Sequence, residues 1–149
     1  MDQQLEPRLR IGTLCERTLE EKDGVLSLIR LIDRLVITAE GVDVPKDLPP
    51  GQVPVTVVMS WVNGLGDYEA KIRVDMPDGS SIESITLPFH LDSFDKVQNH
   101  VIRMLIPVRR AGLYWFRFLL GDEVKGEVPL RVIYQRKLHP KKGTSPRGD

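Results

Sequence analysis

Three histidines, one cysteine and a set of loop aspartates are the residues of this chain that could do chemistry. A zinc site needs about three or four convergent Cys, His or carboxylate ligands. His90 and His100 have no second histidine or cysteine at ligand spacing, and His139 falls in a basic C-terminal stretch. Cys15 has only Arg17 nearby to favour a thiolate, so it reads as a small buried hydrophobe rather than a nucleophile. No Gly-x-Ser-x-Gly elbow is present. Asp75, Asp78, Asp92, Asp95 and Asp122 lie near turn signals and offer hard oxygen ligands of the kind calcium takes. Successive turns of strands alternate between ends, however, and turn aspartates bond their own backbone. The run Asn63-Gly64-Leu65-Gly66 lacks the Lys-Ser/Thr of a phosphate loop and reads as a hairpin loop. No catalytic residue, metal ligand or cofactor site is therefore expected.

The residue types favour recognition instead. In Leu113-Tyr114-Trp115-Phe116-Arg117-Phe118-Leu119-Leu120, alternation puts Tyr114, Phe116 and Phe118 on one face and Trp115, Arg117 and Leu119 on the other. Both faces carry large apolar groups. One face builds a core. The other, an aromatic flanked by an arginine, has the composition of an interface anchor, with Trp115, Arg117 and Leu119 as its residues. Its cover is a protein partner, a second copy of this chain, or the proline-rich loop at 39–54.

The elements that position these residues read as strands. Alternation or apolar runs mark 9–16, 55–62, 68–75, 80–87, 97–106, 113–120 and 124–134. The run Val25-Leu26-Ser27-Leu28-Ile29-Arg30-Leu31-Ile32 is compatible with helical spacing, but its branched residues and β-rich context favour a strand. Being apolar on both faces, that strand is expected to be central and covered. Met76-Pro77-Asp78-Gly79 and Gly121-Asp122 are turns. The sum is about eight antiparallel strands, an all-β sandwich over residues 9–134, with a flexible leader at 1–8. Residues 135–149 hold Arg136, Lys137, Lys141, Lys142 and Arg147 without an aromatic, and are expected to be a disordered basic tail.

Several of these pieces resemble a known family. Arg110-Ala111-Gly112-Leu113-Tyr114-Trp115-Phe116 is similar to the start of strand F of immunoglobulin-like sandwiches, where a tyrosine hydroxyl bonds back to the backbone. With Leu26-Ser27-Leu28-Ile29, Ile32-Asp33, Met76-Pro77-Asp78-Gly79 and Val128-Pro129-Leu130-Arg131-Val132, the chain resembles a family of small uncharacterised bacterial β-sandwich proteins. The resemblance implies an immunoglobulin-like fold, the corner role for Tyr114, and no assigned activity. Two residues depart from it: Phe116 replaces the disulfide cysteine, and Arg30 stands where glycine is expected.

Bulk composition narrows function further. The chain has 149 residues, with 21 Lys+Arg against 21 Asp+Glu. That balance removes the excess of positive charge that nucleic-acid or membrane-surface binding requires. The segment after Met1 is polar and acidic, without the apolar core of a secretory signal, so a cytoplasmic setting is expected. The expectation is a non-catalytic protein-interaction module. The alternative is a small-ligand protein or enzyme whose site combines the 39–54 and 88–96 loops.

Overall fold

The computed structural model describes residues 5–140, and these contain strands and turns but no helix, hence no helix long and apolar enough to cross a membrane. Ten strands follow in chain order. They are β1 (Arg8–Glu20), β2 (Leu26–Leu31), β3 (Arg34–Gly41), β4 (Gly51–Val62), β5 (Gly66–Asp75), β6 (Ser81–Glu83), β7 (Leu87–Leu91), β8 (Val97–Val108), β9 (Gly112–Leu120) and β10 (Glu123–Leu138). One sheet has the order β2-β1-β4-β8; the other has the order β3-β10-β9-β5-β6, with β7 also paired to β5. The two sheets enclose one apolar core, in which Leu14, Val57, Met59 and Trp61 of the first meet Ile72, Val74, Phe116 and Phe118 of the second.

Period-two alternation explains this packing. Along β5, Tyr68, Ala70, Ile72 and Val74 are buried, while Glu69 is exposed and Lys71, Arg73 and Asp75 are half-buried. The Met76–Gly79 turn closes a hairpin: the Gly79 N–H donates to the Met76 carbonyl at 3.0 Å, and Gly79 takes the φ of 87° that glycine permits.

The structure corrects several expectations. The run at 25–32 forms a strand, but β2 is an edge, not a central strand. Residues 34–41 form β3, which pairs in parallel with β10, so the sheets are not wholly antiparallel. The proline-rich connection shrinks to 42–50, because residues 39–41 belong to β3 and 51–54 to β4. Asn63-Gly64-Leu65 does not close a hairpin; β4 and β5 lie in different sheets, and the turn carries the chain between them. The turn packs tightly, since a Cβ on Gly64 would lie 2.9 Å from Pro7 and 3.0 Å from Leu91. The Tyr68 hydroxyl fixes the same turn, accepting from the Leu65 N–H at 2.8 Å.

Both ends of the domain also extend further than the sequence suggests. Pro7 is buried, and Lys125 pairs with Glu6 at 2.6 Å, so the last residues of the leader are packed. Residues 135–138 are not a tail; they continue β10 against β3, and the His139 N–H donates to the Gly41 carbonyl at 2.8 Å. The rest of the basic stretch, 141–149, lies outside the described residues.

Candidate interaction surface

Trp115 and Arg117 lie on the outer face of the six-stranded sheet, where cross-strand register assembles their surroundings. One row across the sheet places Glu83, Arg73, Arg117 and Glu127 side by side on β6, β5, β9 and β10. The next row places Trp115 between Asp75 and Pro129. Arg73 and Arg117 face each other as like charges, which would repel unless compensated. Asp75 compensates both: its Oδ1 lies 3.3 Å from Arg73 Nε, and its Oδ2 lies 2.5 Å from Arg117 Nε. Glu127 takes the remaining side of the Arg117 guanidinium. The guanidinium carbon then stands 5.8 Å from the centre of the Trp115 ring, within cation–π range.

Trp115 is half-buried, and the ion-paired Arg117 guanidinium lies over its ring. A held aromatic loses little freedom when a partner covers it, which is what makes such residues effective anchors. Leu119 does not belong to this surface. It is 2% exposed. Its cross-strand neighbours are Lys71 and Val124, and Lys71 reaches past it to Asp122 at 3.4 Å. The aliphatic stem of a lysine covers apolar surface in this way.

Behind the surface, the Tyr114 hydroxyl donates to the Arg110 carbonyl at 2.7 Å, spanning the turn that leads from β8 into β9. This bond ties the start of β9 to its own entry turn, while pairing with β5 and β10 sets the register that places Trp115.

The proline-rich connection does not cover Trp115. It closes one end of the sandwich. Val44 and Leu48 are buried, the Tyr134 hydroxyl donates to the Pro45 carbonyl at 2.7 Å, and Arg136 donates to the Val44 carbonyl at 3.0 Å. Of the expected 88–96 loop, residues 88–91 belong to β7, and 92–96 sit at the other end. The β4–β8 ladder shows this, since Gly51 pairs with Val108 and Val62 pairs with Val97. The two loops therefore do not combine into one site.

His90 has a place of its own. Its Nδ1 lies 2.8 Å from Asp67, in an open concavity of about 770 Å³ also bordered by Glu6 and Glu69. That lining carries His90, Tyr68 and three acidic residues, Glu6, Asp67 and Glu69. His100 lies elsewhere, edge-on to Phe89 at 5.3 Å, where burial lowers its pKa. Cys15 is fully buried, and burial raises its thiol pKa. Asp78 bonds Ser80 and Asp95 bonds Ser93 within their own turns, while Asp92 bonds Lys96; all three carboxyls are held below the usual range by these contacts. Among the described residues, no group of three or more His, Cys, Asp or Glu is arranged to hold a metal ion. No family model matches the chain, and no curated protein matches it.

The sequence pointed to Trp115 and Arg117 through alternation alone. It did not reveal Asp75, which meets Arg117 from a strand 42 positions away, or Glu127, whose place opposite Arg117 depends on the register shift between Val124 and Gly126 in the β9–β10 hairpin.

Proposed function

We propose that this protein is a non-catalytic recognition module, an immunoglobulin-like sandwich that binds a protein partner through the outer face of its six-stranded sheet. The observation that carries this reading is the half-buried Trp115, stacked by an Arg117 that Asp75 and Glu127 hold in place. The paired Arg117 guanidinium thus lies against one surface aromatic. The partner surface it suits presents an apolar pocket for the indole and polar groups at its rim. The Tyr114–Arg110 hydrogen bond supports the immunoglobulin-like part of the reading, since a tyrosine corner has this form. The bacterial β-sandwich family resemblance and a cytoplasmic setting belong to the same proposal.

The test is a comparison of wild type, Trp115→Ala and Thr38→Ala as baits in extract from the native cell. Thr38 lies on β3, an outer strand of the same sheet. A partner held by wild type and Thr38→Ala but lost by Trp115→Ala supports the proposal. Equal capture by all three baits contradicts it.

A further inference from the structure

Every open sheet edge can pair with another strand, and proteins blunt such edges with short strands, charges, prolines or irregular backbone. Three of the edges here are blunted. β2 has six residues, and Arg30 within it takes a φ of 57°. β3 exposes Arg34 and Glu40. β6 and β7 have three and five residues. β8 is different. Its twelve residues pair with β4 along their whole length without a register shift, and among the described residues no strand lies on its other side. Its proline, Pro107, is next to its end.

The outward face of β8 reads Val97, Asn99, Val101, Arg103, Leu105. The three apolar residues are 40%, 44% and 59% exposed. Among the described residues, neither Asn99 nor Arg103 has a side-chain hydrogen bond or ion pair. This pattern is self-complementary. Antiparallel pairing about Val101 sets Val97 against Leu105 of a second copy, Asn99 against Arg103, and Val101 against itself. Moving the axis by one residue sets Val101 against Arg103 and Asn99 against Leu105. Moving it by two toward the C-terminus sets Arg103 against Arg103, where like charges repel, and moving it by two toward the N-terminus leaves Arg103 and Leu105 beyond the paired strand.

We infer that β8 pairs with β8 of a second copy about a two-fold axis at Val101, joining two four-stranded sheets into one of eight strands. The contact is isologous, as a closed dimer requires. On the inward side it covers His100 and Ile102, which the single chain leaves half-buried. The contact lies on the four-stranded sheet, away from Trp115, and stands or falls separately from the partner surface described above.

Sedimentation velocity of the full chain over a micromolar-to-millimolar series tests it, with circular dichroism confirming that each variant folds. The wild type is expected to dimerise with concentration. Asn99→Asp places a carboxylate opposite Arg103 twice per dimer and should tighten Kd about tenfold at low salt. Asn99→Lys places a like charge there and should weaken it about tenfold. A chain that stays monomeric throughout overturns the inference. So does a dimer whose Kd moves the same way in both variants. A dimer abolished by Trp115→Ala but indifferent to Asn99 also overturns it, and moves self-association to the other sheet.

Discussion

The Arg117 guanidinium stands 5.8 Å from the centre of the Trp115 ring and is held there by carboxylates from two neighbouring strands. Adjacent in the chain to Trp115, Phe116 points the other way and is fully buried. One residue of register therefore separates the surface from the core, and substitutions at the two positions should differ sharply.

Phe116→Ala should destabilise the fold by about 3–5 kcal/mol, the usual range for truncating a core aromatic. Trp115→Ala should cost about 1 kcal/mol, since it loses partial burial and one exposed cation–π contact. Urea denaturation followed by circular dichroism measures both. Equal losses would mean that β9 does not have the two faces described.

Arg30 carries the strain expected of a left-handed non-glycine residue. That conformation costs an L-residue about 1–2 kcal/mol, part of which glycine returns as lost chain entropy. The Arg30–Glu16 contact at 3.5 Å is well exposed and contributes little. Arg30→Gly should therefore stabilise the protein by about 0.5–1 kcal/mol in a urea titration. Destabilisation would show that the Arg30 side chain has a structural role that its contacts do not reveal.

The Tyr114 hydroxyl donates to the Arg110 carbonyl, and Tyr114→Phe deletes only that bond. The loss should be about 0.5–1.5 kcal/mol, with an unchanged denaturant slope. An unaltered midpoint would remove the corner from the account of how β9 is placed.

Burial depresses the His100 pKa, so the folded protein binds this proton less readily than the unfolded chain does. The corresponding stability is complete above the unfolded value of about 6.5 and is lost as pH falls below it toward the folded value. Wild type should thus weaken between about pH 7 and about pH 5 more than His100→Gln does. The lowered carboxyls Asp78, Asp92 and Asp95 lose their contributions only as pH falls through the range below 3.8, outside this window. Parallel pH profiles for the two proteins would contradict the assignment.

Much of the fold is legible where strands alternate and neighbours pair locally. The β5–β6 hairpin follows from Met76-Pro77-Asp78-Gly79, and the inward set of β5 follows from its period of two. β3 is less legible because it pairs with β10, a partner about a hundred positions away, and Leu35 and Val36 are apolar on both sides. The expected breadth of the 39–54 loop fails for a related reason: residues 39–41 pair with β10 and 51–54 with β8, partners distant in the chain. At the surface, alternation separates Trp115 from Phe116 but cannot show that Leu119, on the same side as Trp115, is covered.

If the exposed part of Trp115 meets another protein, its exposed cross-strand neighbour Pro129 must lie beside that protein. A photo-crosslinking residue, p-benzoylphenylalanine, placed at position 129 and in parallel at position 38 reads this directly in living cells with Trp115 intact. A discrete heavier adduct is expected from position 129 and not from position 38. No adduct from either position, or the same smear from both, would contradict it.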